Sequence, residues 1–597
     1  QLNKPVRSVT IGSKIRSIGS CAFARCASLT NIYVDRANPY YQSIDGVLYS
    51  GDGKTLLSYP TAKAYSSYPV ASGTETIGEY AFFHSKVQTV FLPDTVSTIG
   101  DYAFYYAGEL SSINFPTALT SIGDSAFFAC QSLTAVDIPA TITQIGESAW
   151  AACTSLPAIT VAAENPNYTA VDGVLYTKDM TVLKVYPFAK SGVTFTVPDS
   201  VVELEAYAFA YTGMQSIDGC ANLRAIGDSA FYSCTALKSL PDAPKLETIG
   251  ERAFYSCKAL TSLSFPDSMR SIGEYAFAWC TAVKTFDSGN GLQETGKYSV
   301  YYCTALTTVT LPAGGTDIVT YFSNLFYHCK ALKSVTNLDK FTNVNSFSNA
   351  FSNSILTSVT LSPSGSSAAA GVNFGNAFEG CSKLTSVVNL DKFKNVRSFS
   401  RTFYYCPVLE SVTLPEGSTA AKVTFLQTFY QCFKLTSVVN LDKFKNASSF
   451  SSTFESCKLL PSVTLCPEGS TVDADITFYN AFKGCKALTS IANLDKYTKA
   501  SNFSETFRGC EALKDITLPV PADATKSITF QYAFSGCTAL ERIANLGTYK
   551  NVSSLYYAFY QCSNLTYAIL GNVPSITTDA FYAVNPNCLK YMPTGTD

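Results

Sequence analysis

The chain has 597 residues, a net charge of −2 and only 15% charged residues. This balance provides no basic surface for nucleic acid or an anionic membrane, and no apolar run reaches the roughly 18 residues of a membrane-spanning helix. The chain begins at Gln1 rather than Met, so we expect any signal peptide or lipid anchor to lie upstream.

A five-residue phrase recurs along the chain, and Ala253-Phe254-Tyr255-Ser256-Cys257 is a clean copy of it. We count 21 copies from Phe23 to Phe581, and the second position, here called the anchor, is Phe in 19 of them. A fixed period of roughly 20–50 residues indicates a solenoid, in which each coil contacts only its neighbours. The length therefore does not imply several separate domains.

The first coil shows the elements that the later coils repeat. Leu29, Ile32 and Val34 have the alternating spacing of a half-buried strand, and in many coils a proline then ends the strand. An extended Val-x-x-Ile-Gly segment follows, and a short helical turn is predicted to carry Ala-Phe-x-x-Cys. Glycine suits a positive φ or a close approach of coils, and the acidic residue after it is predicted to cap the helical turn.

Two coils carry insertions, at about residues 36–72 and 163–199. In the first, Asp52-Gly53 separates two alternating apolar runs, which is a strong β-hairpin signal. The second insertion repeats the pattern, and the interval between the two insertions equals that from Phe23 to Trp150 and from Trp150 to Phe277. We interpret this spacing as a duplicated block of coils with its hairpin at a fixed place.

After about Thr304 the interval between anchors lengthens, as Phe403 and Phe429 show against Phe104 and Phe127, and the repeat becomes a pair of coils. One coil of each pair carries a phrase such as Asn389-Leu390-Asp391-Lys392-Phe393. Phe also replaces Ile-Gly before the anchor, and we expect this larger ring to fill a wider coil. The predicted organisation is repeats over 1–305, paired repeats over 306–580 continuous with the first part, and a C-terminal cap over 581–597.

Sixteen of the 20 cysteines occupy the last position of the phrase, here called the slot. Other copies place Ser, Ala, Thr or Val there, so the slot selects a small side chain rather than a disulfide bridge. Stacked coils would bring these Cα atoms to ~5 Å, within the range of a disulfide, but the interruptions would leave partners unpaired. We therefore predict buried free thiols, and the spacing does not suit zinc.

These motifs resemble the BspA-like leucine-rich repeats of bacterial surface proteins. The resemblance rests on the strand pattern, the Ile-Gly-x-x-Ala-Phe-x-x-Cys phrase, the Asp-Gly-Val-Leu-Tyr hairpins and the closing Asn-Pro-Asn-Cys. The paired coils after Asn337 depart from the common form of the repeat. Membership implies a right-handed superhelix of parallel β-strands with short helical turns, export to the cell surface, and adhesion to host proteins or neighbouring cells. It supplies no catalytic residues.

No catalytic or cofactor-binding constellation is apparent, so we expect a non-enzymatic protein without cofactor or metal. His84 and His328 lie about ten coils apart and cannot meet in an extended solenoid. The recurring Asp-Lys pairs, such as Asp391-Lys392, could present a row of cations to an acidic polymer. Solvated turns with local ion pairs fit them better, because the adjacent aspartates cancel much of the field.

Aromatic residues on the strands and hairpins are the candidate ligand-binding residues, since Tyr and Phe are favoured at interfaces. They are Tyr33, Phe91, Tyr40, Tyr41, Tyr49, Tyr168 and Tyr176. The alternative is that they pack the hairpins against the solenoid. The predicted function is adhesion to an extracellular protein by a monomer at the cell surface. A carbohydrate-binding protein and a structural stalk are the alternatives, favoured respectively by aromatic hairpins and by a uniform Ser/Thr face.

Overall fold

The computed structural model describes residues 6–63, 65–314, 320–368, 371–471, 476–570, 579–586 and 588–591. In this part of the chain there are 48 strands, five 3-10 helices and no α-helix. The chain divides into two compact units, Gln1–Ala282 and Val283–Asp597. Each unit is a stack of coils, and most coils contribute two short strands.

Two columns of strands run through the first unit. Row A, at the Leu-x-x-Val-x-Leu position, contains Ser8–Ile11, Asn31–Val34, Ser67–Pro69, Thr89–Phe91, Ser112–Ile113, Val136–Ile138, Ile159–Val161, Thr194–Thr196, Ser216–Asp218 and Ser262–Ser264. Row B, before the anchor, contains Thr76–Ile77, Thr98–Ile99, Ser121–Ile122, Gln144–Ile145, Glu203–Leu204, Ala225–Ile226, Thr248–Ile249 and Ser271–Ile272.

The second unit repeats both columns. Its row A contains Thr285–Asp287, Thr308–Thr310, Ser334–Thr336, Ser358–Thr360, Ser386–Val388, Ser411–Thr413, Ser437–Val439, Ser462–Thr464, Ser490–Ala492, Asp515–Thr517, Arg542–Ala544, Tyr567–Ile569 and Leu589–Tyr591. Its row B contains Glu294–Thr295, Thr320–Tyr321, Val344–Ser346, Val372–Asn373, Val396–Ser398, Val423–Thr424, Ala447–Ser449, Ile476–Thr477, Ala500–Asn502, Ile528–Thr529 and Val552–Ser554. The 3-10 helices are Leu338–Lys340, Leu390–Lys392, Leu441–Lys443, Leu494–Lys496 and Leu546–Thr548.

The strands within each column pair in parallel, so that equivalent residues lie beside each other. In row A, for example, Val136 pairs with Ile159, and in row B Ile77 pairs with Ile99. The middle residue of most row A strands points inward and its neighbours point outward, as side chains alternate along a strand. The predicted class, a leucine-rich-repeat solenoid of parallel strands, is confirmed.

The anchor segment is a series of tight turns, so the predicted short helical turn is wrong. Tyr80 and His84, two residues before and after the Phe82 anchor, both have positive φ, which a helix does not allow. Ala81 and Phe83 donate to the carbonyl three residues back, whereas Tyr80, Phe82 and His84 donate to the next coil. Alternate N–H groups therefore close the turn and bind the coils together. Positive φ recurs at these two positions in most coils.

The anchor rings form stacks in the core of each unit. Phe82, Phe104 and Phe127 are fully buried, with centroid separations of 4.7 and 5.0 Å and nearly parallel planes. In the second unit Phe378, Phe403 and Phe429 stack at 5.6 Å. Because each ring contacts its equivalents in the neighbouring coils, a flat ring is favoured at the anchor, and the exceptions Trp150 and Val300 are buried there as well.

The Ile-Gly glycines are needed for close approach of the coils rather than for positive φ. A Cβ on Gly123 would lie 2.5 Å from the backbone nitrogen of Asp101, which leaves no room for a side chain. The acidic residue after glycine was predicted to cap its own turn, but it bonds to the next coil instead. Asp101 accepts a hydrogen bond from the N–H of Asp124, and Asp124 accepts one from Glu147, both at 2.8 Å.

A second ring column explains the paired repeat of the second unit. Phe374, Phe399 and their equivalents replace Ile-Gly and stack parallel, at 6.0 Å for this pair. Phe393, which follows a 3-10 helix, meets Phe347 and Phe374 nearly at right angles. One edge-on ring thus covers two stacked rings, and it is needed only in every second coil. The expectation that larger rings fill these coils is confirmed.

Each insertion is a three-stranded antiparallel element whose last strand joins row B. The first contains Tyr41–Ile44, Val47–Ser50 and Thr55–Ser58, and the second contains Tyr168–Val171, Val174–Thr177 and Val182–Val185. Thr55 pairs in parallel with Thr76, and Val182 pairs with Glu203. Each hairpin therefore forms part of a coil of its own.

Tyr59 and Tyr186 are the anchors of these two coils, and the sequence analysis missed them. Tyr59 stacks on Phe82 at 5.0 Å, and Tyr186 stacks on Phe209 at 5.1 Å. Each precedes the next anchor by the same interval that separates ordinary anchors of the first unit, so the spacing contained the signal. Neither lies in an Ala-Phe-x-x-Cys phrase, because Pro60 and Pro187 follow directly.

The slot is buried in the core of the coils. Fifteen of its 16 cysteines are buried, and Cys26 in the first coil is half-buried. Fourteen slot thiols donate to the carbonyl of the preceding anchor residue, as Cys130 does to Phe104 at 3.2 Å. Burial raises the pKa of Cys153 to about 12, so the thiol form is favoured.

Only part of the predicted cap over 581–597 can be described. Leu589–Tyr591 pairs in parallel with Tyr567–Ile569 and adds a last strand to row A. Asn587 and residues 592–597 lie outside the described residues. The domain boundary at 305 also stays a prediction.

We expect Tyr59→Phe to stabilise the protein by about 1 kcal/mol, because the Tyr59 hydroxyl is buried without a hydrogen-bond partner. Tyr68→Phe is the matched control. The Tyr68 hydroxyl lies 2.8 Å from that of Tyr49, so its loss should destabilise the protein by about 1 kcal/mol. Urea unfolding of both variants measures the difference, and destabilisation by Tyr59→Phe would show that its hydroxyl has a hydrogen-bond partner after all.

We also expect at most three thiols, those of Cys21, Cys26 and Cys588, to react with a thiol reagent in the native protein. The other 17 are buried and should react only after denaturation. Counting reactive thiols with and without denaturant tests this. Finding most of them oxidised in the denatured protein would refute the assignment of the slot to free thiols.

Candidate functional site

The outward side chains of row A form a regular surface, which we call the row A face. Many of the strands offer an exposed residue on either side of a buried middle residue, as Thr285 and Asp287 flank Phe286. Pairing places equivalent outward residues side by side in neighbouring coils, so that Thr360 lies beside Val388. A ligand on this face would meet a repeated pattern.

The first unit places two large aromatic residues on its row A face. Tyr33 is 49% exposed and Phe91 is 53% exposed. Tyr33 lies beside Thr10, and Phe91 lies beside Pro69. Neither ring has an aromatic partner among the described residues, unlike the stacked anchors, so nothing in the coil itself accounts for them.

The hairpin tyrosines divide into exposed and buried groups. Tyr40 is 46% exposed, and Tyr41 is half-buried with its hydroxyl donating to the Arg16 carbonyl at 3.5 Å. Tyr49 and Tyr176 are fully buried. These two cannot contact a ligand at the surface.

Tyr168 is a third buried residue among the predicted ligand-binding residues. It is only 8% exposed, and its hydroxyl accepts a hydrogen bond from the N–H of Ile145 at 2.9 Å. Tyr49, Tyr168 and Tyr176 thus pack their hairpins against the coils, which was the alternative explanation. Tyr33, Tyr40, Tyr41 and Phe91 remain candidate contact residues.

The row A face of the second unit is dominated by small side chains. Its outward residues include the exposed threonines Thr310, Thr360, Thr413, Thr464 and Thr517. Val388 and Val439 stand in the alternate coils and are 45% and 48% exposed. This surface is largely uncharged and even, in contrast to the aromatic face of the first unit.

The Asp-Lys turns carry local ion pairs, as predicted. Lys392 lies 2.7 Å from Asp391, and the same pair recurs at Lys340, Lys443 and Lys496. Each pair lies in a 3-10 helix preceded by an asparagine with positive φ, whose amide donates to the preceding coil; Asn389 reaches the Leu361 carbonyl at 2.8 Å. The recurring Asn-Leu-Asp-Lys turn is therefore mainly structural.

The two histidines occupy equivalent turn positions in different units. His84 stacks on Tyr106 at 5.1 Å, and His328 contacts Tyr302 at the same distance. Burial lowers the pKa of both, and a nearby cation lowers it further, Arg25 for His84 and Lys330 for His328. Both imidazoles are therefore biased towards the neutral form.

A buried ion pair distinguishes the second hairpin coil. Glu205 stands where other coils have the Ile-Gly glycine, and its carboxylate contacts the Lys184 ammonium of the last hairpin strand. The other carboxylate oxygen is buried without a partner. Burial raises the pKa of Glu205 to about 7, although Lys184 opposes the shift.

The described residues include no cluster of three or more His, Cys, Asp or Glu side chains that could hold a metal ion. Within the same ranges no helix is long and apolar enough to cross a membrane.

A profile for the BspA-type leucine-rich repeat region matches in six copies, over residues 2–45, 75–171, 167–258, 247–371, 374–491 and 476–587. The matches extend over most of the 597 residues. The chain therefore belongs to the BspA-type leucine-rich repeat family. A search of curated proteins gives no match.

Solved structures with a similar fold come from several bacteria. The pneumococcal vaccine antigen PcpA is 24% identical over 56% of this chain and 85% of its own, with a TM-score of 0.40. A leucine-rich repeat protein from Eubacterium ventriosum is 24% identical over 63% and 85%, with a TM-score of 0.34. A leucine-rich cell surface protein from Faecalibacterium prausnitzii is 25% identical over 56% and 79%, with a TM-score of 0.35.

Glu205 should make stability depend on pH. Its pKa rises from 4.5 to about 7 on folding, so the folded state retains a proton that the unfolded state has lost across this range. The stabilisation that the Glu205 proton gives the folded state is fully present below pH 4.5. It falls by up to about 3 kcal/mol as the pH rises to 7.

Denaturant unfolding at pH 4.5 and pH 7, compared with Glu205→Gln, isolates this contribution. The exposed neighbour Glu203 supplies the control variant Glu203→Gln. An identical pH dependence in wild type and Glu205→Gln would contradict the raised pKa.

Proposed function

We propose that this protein is a non-enzymatic adhesin at a bacterial cell surface, and that the row A face of its first unit binds an extracellular protein. The supporting observation is the exposure of Tyr33 and Phe91 on a strand column that elsewhere carries mainly small or polar residues. Large aromatic side chains that are half exposed to water gain most from burial against a partner. Tyr40 and Tyr41, at the nearby hairpin, extend the candidate surface.

The second unit has a different role in this proposal. Its Ser/Thr/Val face offers no aromatic anchor comparable to Phe91 before Tyr567, near the end of the described part of row A. A uniform face of small side chains lacks the large anchors that dominate binding energy. We assign this unit the structural role of the stalk alternative, beside the adhesive role of the first unit.

Binding to immobilised extracellular matrix proteins tests the proposal. The variant Tyr33→Thr/Phe91→Thr introduces the residue that row A carries at the same position in the second unit. We expect it to weaken binding at least about tenfold, as loss of two interface anchors does. Thr has a high strand propensity, so the coils should stay folded.

The matched control is Val388→Thr/Val439→Thr on the second unit, which should bind like wild type. If this control loses affinity while the aromatic variant does not, the binding face belongs to the second unit. Absence of saturable binding to any matrix protein would overturn the adhesin function.

A further inference from the structure

A cleft with a volume of about 730 Å³ lies on the turn edge of the first unit, away from row A. Its lining residues come from successive coils. They are Ala24, Arg25 and Ala27 from the first, Thr61 from the hairpin coil, and Phe83, His84 and Lys86 from the next, together with Tyr105 and Tyr106 beyond. The volume falls within the range of small-ligand sites, roughly 300–1,000 Å³.

The first hairpin creates this opening. Its coil has Tyr59 as anchor but continues through Pro60 and Thr61 without the usual phrase, so one full turn is missing from the edge. Phe82 and His84 donate to the next coil at 2.7 and 3.1 Å. Among the described residues, the equivalent N–H groups of Phe23 and Arg25 donate to no backbone carbonyl.

The walls of the cleft combine flat rings with unpaired cations. Phe83 and Tyr105 are parallel at 6.0 Å, and His84 and Tyr106 are nearly parallel at 5.1 Å. Arg25 and Lys86 are exposed. Neither has a carboxylate partner in the described part of the chain, so both are available to an anionic ligand.

Both charged residues that line the cleft, Arg25 and Lys86, are basic. Arg25 is the charged group that, after burial, lowers the pKa of His84, and no carboxylate opposes it. The cleft itself is lined by no Asp or Glu among the described residues. A concentration of cations in a chain of net charge −2 needs an explanation.

The duplicated block provides an internal comparison. In the second copy of the block, Ala152 stands at the position of Arg25, Tyr211 at that of His84, Gly213 at that of Lys86 and Phe188 at that of Thr61. The turn edge of the second copy is also filled differently, because the Tyr207 ring packs edge-on against the Phe128 ring with centroids 5.4 Å apart. The fold therefore tolerates the loss of all three basic side chains, and their presence in the first copy is not a requirement of the solenoid.

We infer that this cleft binds an acidic saccharide. A sugar ring stacks against the aromatic wall headed by Phe83, behind which Tyr105 lies parallel, and its carboxylate or sulfate group contacts Arg25 and Lys86. His84 contributes a hydrogen bond from the same wall. Charged and aromatic groups together favour an anionic sugar over a free anion or a neutral sugar. The site is separate from the row A face and does not depend on a protein partner there.

The histidines provide a direct readout, because the chain has only two. Imidazole NMR signals of the intact protein are followed during titration with sialyllactose, with lactose as its neutral counterpart, and with a heparin disaccharide and its desulfated form. We expect saturable shifts of the His84 signals with an acidic sugar and none with the neutral sugars. His328, in the other unit, should not shift.

Calorimetry on a variant that copies the second block completes the test. Arg25→Ala/His84→Tyr/Lys86→Gly should weaken binding at least about tenfold. Lys54→Ala/Lys238→Ala removes two exposed cations elsewhere in the unit and should bind like wild type. Circular dichroism confirms folding, and if the triple variant is unfolded, the His84 titration of the wild type decides.

Binding of either acidic sugar supports the proposal. The sugar that binds more tightly indicates which anionic group the cleft prefers. Equal binding of neutral sugars, an equal loss in the Lys54/Lys238 control, or no shift of His84 with any sugar would overturn it. Shifts of the same size with inorganic sulfate alone, at the same concentration, would reduce the cleft to a simple anion site and overturn the saccharide assignment.

Discussion

Contact between equivalent residues in successive coils is the constraint on which the structure depends. The anchor rings stack on anchor rings, the slot thiols donate to the preceding anchor carbonyls, and the acidic residues accept from the next acidic position. Even the turns donate alternate N–H groups to the neighbouring coil. A side chain that does not fit at one position disturbs the contacts with both neighbouring coils. This explains why the phrase varies so little from copy to copy. Positive φ on both sides of the anchor is the conformational cost of this arrangement, on the order of 1 kcal/mol per non-glycine residue.

The sequence was sufficient to predict the repeat, the parallel strands and the hairpins, because each depends on local periodicity. It was not sufficient for features set by contacts between coils. The helical turn was a reasonable expectation for Ala-Phe-x-x-Cys, but Tyr80 and His84 adopt left-handed conformations to reach the next coil. Tyr59 was missed because its coil keeps the ring and loses the rest of the phrase.

The candidate site shows the same division. Outward strand positions follow from alternation, so Tyr33 and Phe91 could be identified. The burial of Tyr49 and Tyr168 depends on how the hairpins fold back on the coils, which spacing does not show. The cleft beside Arg25 arises from a missing turn, and no sequence motif indicates that a turn is absent. Comparison of equivalent positions in the two copies of the block could have revealed it, since Arg25, His84 and Lys86 are all replaced by uncharged residues in the second copy.

The direction of the hydrogen bonds has a mechanical consequence. In each unit the strand pairing runs from coil to coil, so a pull along the stack loads the bonds of one interface at a time rather than a whole sheet in shear. Each coil released from an end of the first unit yields about 23 residues, or roughly 75 Å of extended chain. Because each coil contacts only its neighbours, we expect such a stack to unfold coil by coil from an end and to refold by adding coils to those that remain. Under load, each unit should therefore lengthen in steps of one coil.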